Sequence, residues 1–170
     1  MQGYKFKGTD VCERLLKSFI SSNRKIVVYF DPDVDGMIAG YFVCKYLAMY
    51  GKPFSWYVNT NRSHNWDLDL EKVKDCNVVA VDFMIPKQVM QDIIDNGTNI
   101  ISMDHHVNGD SFIHIMSKGE GVIVNNQYPF EDRERAYLSG AGVVFETLSN
   151  LDSNFYTDEN KALVGLTLLS

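Results

Sequence analysis

The segment Ile26-Val27-Val28-Tyr29-Phe30-Asp31-Pro32-Asp33-Val34-Asp35-Gly36 decides the fold, because an apolar run ends abruptly in alternating carboxylates. Its first five residues are β-branched or aromatic, which is typical of a strand buried on both faces. Residues 31–36 are expected to form a loop. From residue 37 to about residue 50 apolar side chains occur on every side, which predicts a buried helix that stops near Gly51. The segment therefore predicts one strand–loop–helix unit of a parallel sheet.

The same alternation of strand and helix continues along the whole chain. Further strands are expected at about 54–58, 78–81, 100–103 and 122–124. Helices are expected at about 9–21, 70–74, 86–96, 142–151 and 157–170. Strands that alternate with helices imply right-handed crossovers and a parallel sheet. The predicted fold is an α/β, three-layer parallel-sheet domain of about five strands flanked by helices, and residues 1–170 are expected to form a single domain.

Composition limits the classes of protein to which the chain can belong. The chain has 170 residues, of which 45% are hydrophobic, so it can bury a core and is not a long disordered segment. No run approaches the length of about 18 apolar residues that a membrane span requires. The net charge of −6 argues against a basic nucleic-acid-binding surface. The three cysteines form no closely spaced pair, and residues 1–8 lack the apolar core of a secretion signal, which together favour reduced thiols in a cytoplasmic protein.

Carboxylates and histidines stand at the ends of three predicted strands. They are Asp31, Asp33 and Asp35 after the first, Asp82 after the third, and Asp104-His105-His106 after the fourth. Parallel sheets bind ligands at the carboxyl ends of their strands, so these side chains are expected to converge. Crowded carboxylates repel one another unless protons or cations neutralise them. Oxygen ligands with an imidazole suit Mn²⁺, with Mg²⁺ next, and a pair of such ions is the usual device for cleaving phosphate esters.

The acidic segment has two plainer interpretations. An EF-hand calcium loop that began at Asp31 would have Gly36 at its sixth position, as required, but Phe42 at its twelfth, where a Glu is needed. A solvated acidic turn would explain the first motif alone. It does not explain why Asp82 and Asp104 follow equally apolar strands, so the metal site is favoured.

Taken in order, these motifs resemble the DHH phosphoesterase superfamily, and within it RecJ-type single-strand exonucleases. The resemblance rests on Asp31-x-Asp33-x-Asp35-Gly36, on Asp82 and on Asp104-His105-His106. The segments from Val124 to Phe130 and from Leu138 to Phe145 resemble the connection and the fourth region of that group.

The resemblance implies a role for each residue. Asp33, Asp35, Asp82 and His105 would be the metal ligands, with Asp82 bridging two ions in the complete site. His106 would contact the scissile phosphate and Asp104 would orient the histidines, while Asp31 would act directly on the metal or through another ligand. Gly140 and Gly142 would let backbone amides approach the substrate.

Binding of a nucleic-acid strand needs positively charged side chains and aromatic rings on which bases stack. The candidates are Arg133 and Arg135, which lie close in sequence to Tyr137, and the segment containing Arg62, His64 and Trp66. Exposed loop residues without a role would look the same in the sequence.

Two features depart from the family pattern. Many members carry a histidine four positions before the first metal-binding Asp, where this chain has Tyr29, so one imidazole ligand is replaced or lost. In the family, the fourth motif ends in an Asp that follows a segment similar to residues 162–170, and this sequence stops at residue 170. We therefore expect the chain to be the amino-terminal catalytic half of a longer two-domain protein, weakly active or inactive by itself.

The resemblance implies a metal-dependent phosphodiesterase that hydrolyses single-stranded DNA from the 5′ end, in DNA repair or recombination and with possible replication or repair partners. One alternative is hydrolysis of a short oligonucleotide or a cyclic dinucleotide. Another is a DHH-like binding module without turnover, which the intact acids oppose, whereas Tyr29 and the missing Asp of the fourth motif favour it.

Overall fold

The computed structural model describes residues 5–60, 66–107, 113–127 and 137–168. The strands in these residues are β1 (Ile26–Phe30), β2 (Phe54–Val58), β3 (Asn77–Val81), β4 (Asn99–Asp104), β5 (His114–Met116) and β6 (Glu120–Asn125). The helices are α1 (Thr9–Ser21), α2 (Val34–Met49), α3 (Leu70–Val73), α4 (Lys87–Asp95), α5 (Gly140–Leu151) and α6 (Asp158–Thr167). A 3-10 helix, Ser153–Phe155, lies between the last two.

The strands form one sheet in the order β2-β1-β3-β4-β6-β5, and all neighbours are parallel except β5 and β6. From β1 the chain moves outward to β2 and then returns to form β3 on the other side of β1. In open α/β sheets this reversal of direction marks the place where ligands bind. The predicted three-layer α/β fold is confirmed. By this rule a ligand is expected at the carboxyl ends of β1 and β3, the ligand edge of the sheet.

The sheet has one strand that the sequence did not predict. β5 has only three residues, lies at the sheet edge and pairs with β6 alone. His114 and Met116 on this strand are exposed, so the strand lacks the buried apolar run by which the other strands were predicted. The expectation of about five strands was therefore short by this antiparallel edge strand.

Two apolar cores cover the two faces of the sheet. Alternate residues of β1 point to opposite cores, with Val28 in the first and Val27 in the second. The first core is covered by α1, α2 and α5, and the second by α3 and α4. Within α1 the buried apolar side chains are Cys12, Leu15, Leu16 and Phe19, and the helix packs against β4 and β6.

The helix after the acidic segment begins at Val34 rather than near residue 37. Asp33 caps it, because its side chain accepts a hydrogen bond of 2.8 Å from the backbone N–H of Gly36. Asp35 therefore lies in the first turn of α2, and the predicted loop over residues 31–36 is wrong for its second half.

In the described residues no helix is both long and apolar enough to cross a membrane. The three cysteines are free thiols, with Cys12 and Cys76 buried in apolar surroundings.

Candidate metal centre

The carboxyl ends of three adjacent parallel strands bring three buried carboxylates to one edge of the sheet. Asp31 follows β1, Asp82 follows β3, and Asp104 is the last residue of β4. Each of these side chains is almost completely buried. The convergence predicted from the sequence follows directly from the parallel order β1-β3-β4.

Asp82 and His105 form the centre of this edge. Nε2 of His105 lies 3.3 Å from Oδ1 of Asp82 and 3.7 Å from Oδ2 of Asp35. Oδ1 of Asp82 is buried and accepts no hydrogen bond of regular geometry in the described part of the chain. The backbone of Asp82 is left-handed, with φ of 63°, a conformation that costs about 1–3 kcal/mol and is concentrated at functional sites.

The pKa values of Asp82 and His105 are both raised at this edge. The pKa of Asp82 is raised to about 7, first because burial removes water from the carboxylate, and further by repulsion from Asp35 and Asp33. The pKa of His105 is raised, first by the Asp82 carboxylate, whose Oδ1 lies 3.3 Å from Nε2 of His105. Both shifts favour the protonated forms of the two groups in the metal-free protein. A divalent cation held by these side chains would supply positive charge in place of those protons.

Asp35 is held by the amino terminus of α5. Its Oδ2 accepts a hydrogen bond of 2.7 Å from the N–H of Gly140, and its Oδ1 accepts one of 2.8 Å from the N–H of Ala141. Both amides belong to the first turn of a helix, where the dipole favours an anion. This contact fixes α2 against α5 and sets the direction of the Asp35 carboxylate beside His105.

Gly140 is required at its position by space. A Cβ atom there would lie 2.2 Å from Oδ1 of Asp82 and 2.7 Å from its Cγ, so any side chain would collide with the central carboxylate. The N–H of Gly142 donates 3.2 Å to Oγ of Ser139, the cap of α5. The amides of Gly140 and Gly142 thus already donate within the fold, and their contact with substrate stays a prediction.

His106 is oriented by Asp104. Its Nδ1 lies 2.7 Å from Oδ1 of Asp104, which also accepts a hydrogen bond from the backbone N–H of His106. This hydrogen bond is the main reason that the pKa of His106 is raised to about 9. One ligand atom from each of Asp82, His105 and His106 lies within 4.8 Å of the others. His106 is therefore close enough to the centre either to contact a phosphate or to hold a metal.

The remaining acids of the first motif lie beside this group. Asp33 caps α2 and, with Asp35 and His105, lines a cleft of about 570 Å³. Nδ2 of Asn59 lies 3.4 Å from Oδ1 of Asp31, and Asp31 contributes to the raised pKa of His106. The structure thus brings Asp82, His105 and His106 together, with Asp35 beside His105. Asp33 and Asp31 are close enough to this group for their charges to raise the pKa values of Asp82 and His106, respectively.

Tyr29 does not take the place of an imidazole. Its hydroxyl donates a hydrogen bond to Oδ1 of Asp67, whose other oxygen accepts a hydrogen bond from Thr60. Its ring packs edge-on against Trp66 and Phe83 in the second core. The hydroxyl of Tyr29 is thus used in the hydrogen bond to Asp67, and burial raises the pKa of Tyr29.

Several residues line the cleft to which the sequence analysis gave no role of their own. The cleft is also lined by Val34, Tyr137, Leu138, Ser139, Thr167 and Leu168. Ser139 could have been found, because a serine before a glycine-rich helix start is a typical cap. Trp66, a predicted stacking residue, instead packs on Tyr29 and donates from Nε1 to the carbonyl of Leu68. The predicted substrate contacts Arg133 and Arg135, together with Arg62 and His64, lie outside the described residues.

The donor set fits a divalent cation. It consists of carboxylate oxygens with one or two imidazoles, which is the combination that Mn²⁺ and Mg²⁺ sites use. Oδ1 of Asp82 and Oδ2 of Asp104 are buried and make no hydrogen bond of regular geometry with any described residue, so they have capacity for a ligand.

Comparison with known proteins agrees with this picture. A family model for the N-terminal domain of the DHH family matches residues 25–169. The crystal structure of exonuclease RecJ bound to manganese gives a TM-score of 0.71 at 20% identity, over 95% of this chain and 42% of that chain. RecJ of Thermus thermophilus in complex with Mn²⁺ gives 0.69 at 21% identity, over 95% and 24% of the two chains. The DHH domain of a member of a family of ribosomal proteins gives 0.61 at 18% identity, over 95% and 46%.

No curated protein sequence matches the chain. At such identities the structural likenesses show a common fold, and the chain spans less than half the length of each of these proteins. The family model covers the sheet, the strand-end acids and the start of α5. The chain therefore belongs to the DHH family.

Proposed function

We propose that this chain is the catalytic domain of a metal-dependent phosphodiesterase that cuts single-stranded DNA. The observation that carries the proposal is the contact of His105 with both Asp82 and Asp35 at the ligand edge of the sheet. The contacted oxygen of Asp82, Oδ1, is buried and accepts no hydrogen bond of regular geometry from the described residues. The likeness to exonuclease RecJ supports the class of substrate. Mn²⁺ is the proposed ion, because it accepts carboxylate and imidazole ligands together, and Mg²⁺ is the substitute.

Different residues of the centre would hold the ions and orient the ligands. Asp33, Asp35, Asp82 and His105 would hold two ions. The ions, when bound, would supply a water of lowered pKa and positive charge for the phosphate. The amides of Gly140 and Ala141 fix the orientation of Asp35, so the site is shaped before a substrate arrives.

His106 would act on the phosphate rather than on the metal. Nδ1 of His106 lies 2.7 Å from Oδ1 of Asp104, and this contact raises the pKa of His106 to about 9, which favours the protonated imidazole. A fixed cation beside the centre stabilises the negative charge that develops on phosphate oxygens during cleavage. Asp104 thus works through His106, as a carboxylate behind a catalytic imidazole commonly does.

The cleft beside the centre gives the strand a place to lie. Tyr137 on its rim is 82% exposed, and a nucleobase can stack on such a ring whatever its sequence. The chain as a whole is negatively charged, so the strand must be attracted locally. Arg133 and Arg135, close to Tyr137 in sequence, are the proposed contacts. The proposed direction, from the 5′ end, rests on the family.

A nuclease assay tests the proposal. Single-stranded oligonucleotides labelled at either end, with a dinucleotide as a short substrate, are incubated with Mn²⁺ or with EDTA. We expect cleavage with Mn²⁺ and none with EDTA. Asp82→Asn should abolish cleavage, and Asp10→Asn, which removes an exposed carboxylate from α1, should not change it. Cleavage that EDTA leaves unchanged would contradict the metal mechanism, and strand binding without cleavage would favour a non-catalytic binding module.

A further inference from the structure

An apolar groove lies between the edge strand β2 and helix α2. The sheet contributes Phe30, Trp56 and Val58, and the helix contributes Met37, Gly40 and Tyr41, with Cys44 at the far end. The groove has a volume of about 370 Å³, within the usual range for small-ligand sites. It is separate from the cleft at the metal centre, with which it shares no lining residue.

The walls of this groove expose large apolar side chains above a firmly packed floor. Trp56 is 59% exposed and Tyr41 is 44% exposed. Phe30 forms the buried floor, and its ring lies 6.1 Å from that of Trp56. Gly40 lets the helix come close to this floor, since a Cβ atom there would lie 2.5 Å from the Phe30 ring. A preformed site with an exposed indole is a binding surface rather than an isolated exposed residue.

The groove opens at the proposed catalytic edge. Phe30 immediately precedes Asp31, and the backbone N–H of Met37 donates to the carbonyl of Asp33. Val58 immediately precedes Asn59, whose side-chain amide lies beside Asp31. From Met37 to Cys44 the helical wall runs about 10 Å at 1.5 Å per residue. A strand whose phosphate lies at the metal centre can therefore place neighbouring bases in this groove.

The shape and the lining of the groove favour a nucleobase over a protein partner. It is a short trough with Trp56 on the sheet wall and Tyr41 on the helix wall, whereas a stable protein–protein interface uses about 20–30 residues on each side. A length of about 10 Å accommodates two or three bases at a stacked spacing of about 3.4 Å. Aromatic walls suit bases, because every base presents a π-face. We propose that the groove is a base-stacking subsite in which Trp56 and Tyr41 receive nucleobases of a single strand. This inference rests on the proposed function, because it places the scissile phosphate at the metal centre.

The test measures binding without turnover. The fluorescence anisotropy of a labelled oligothymidylate is followed in EDTA with the wild type, Trp56→Ala, Trp56→Phe and the control Met116→Ala, which removes an exposed apolar side chain at the opposite sheet edge. We expect Trp56→Ala to weaken binding by about 5- to 150-fold, the effect of losing one stacked base. Trp56→Phe should retain most of the affinity, and Met116→Ala should match the wild type. An abasic oligonucleotide of equal length should bind the wild type and Trp56→Ala equally.

Three outcomes would overturn the subsite. They are equal affinities of wild type and Trp56→Ala, an equal loss for the normal and abasic strands, and a wild-type dimer in sedimentation that Trp56→Ala converts to a monomer. The last result would show that a second copy covers the groove. Cleavage with Mn²⁺ that does not depend on Trp56 would reject the subsite alone. Trp56-dependent base binding without any cleavage would reject the proposed catalysis alone.

Discussion

Replacing Gly140 with alanine places a methyl group against the central carboxylate of the site. The new Cβ atom would lie 2.2 Å from Oδ1, 2.7 Å from Cγ and 2.9 Å from Cβ of Asp82. Neither partner can yield easily. Asp82 is buried at the end of β3 in a left-handed conformation, and the N–H of Gly140 is bonded to Asp35. We therefore expect Gly140→Ala to separate α5 from the metal centre.

The expected magnitude follows from these contacts. Overpacking a buried site costs about 1–3 kcal/mol. Loss of one hydrogen bond to the charged Asp35 would add about 1.5–3 kcal/mol, whereas the gain in helix propensity returns only about 0.5–1 kcal/mol. The free energy of unfolding should therefore fall by about 1.5–5.5 kcal/mol. Affinity for Mn²⁺ should fall at least tenfold, which corresponds to about 1.4 kcal/mol.

Urea unfolding in EDTA measures the stability, and calorimetric titration measures the binding of Mn²⁺. Gly165→Ala is the matched control, because Gly165 lies inside α6 and a Cβ atom there meets nothing within 4 Å. It should raise the free energy of unfolding by up to about 1 kcal/mol and leave Mn²⁺ binding unchanged. If Gly140→Ala behaves like Gly165→Ala in both measurements, the close approach of α5 to Asp82 is not a constraint.

Three further predictions concern the same edge. Because the pKa of Asp82 is raised from 3.8 to about 7, the folded state keeps a proton that the unfolded chain releases, so the metal-free protein should lose stability as the pH rises from about 4 to about 7. Asp82→Asn should flatten this part of the pH profile of thermal melts in EDTA and remove stabilisation by Mn²⁺; an unchanged profile would contradict the shift. His106→Ala should slow cleavage while calorimetric Mn²⁺ affinity stays nearly the same, and a large loss of affinity would instead make His106 a metal ligand. Tyr29→Phe should cost about 0.5–1.5 kcal/mol in urea unfolding through the lost bond to Asp67 and leave Mn²⁺ binding unchanged, whereas weaker Mn²⁺ binding would show that the phenol supports the centre.

Patterns local in sequence predicted most of the fold. The runs Ile26–Phe30 in β1 and Val78–Val81 in β3 are apolar at every position because both faces of a central parallel strand are covered. The convergence of Asp31, Asp82 and Asp104 then follows from strand order alone. β5 was missed for the opposite reason, since an edge strand with exposed side chains leaves no apolar run.

The hydrogen bonds and contacts that join distant segments at the site could not be predicted from local sequence patterns. Asp35 bonds to amides at Gly140 and Ala141, more than a hundred residues away, and nothing in either segment specifies the other. Tyr29 could be recognised as a departure, but its commitment to Asp67 depends on how the segment after β2 folds back. The groove around Trp56 likewise combines two strands and a helix whose packing only the structure provides.

Helix α1 shows that the boundary of a family and the boundary of a folding unit differ. The family match begins at residue 25, after α1 has ended at Ser21. Yet Leu15, Leu16 and Phe19 are buried in the first core, and each such side chain contributes about 1.5–3 kcal/mol by leaving water. The net stability of an ordinary domain is only about 5–15 kcal/mol, so losing burial of this size matters. We expect a chain trimmed to the matched residues to be less stable, because the part of the first core that α1 covers against β4 and β6 would face water. The segment that carries the DHH motifs is therefore shorter than the unit that folds.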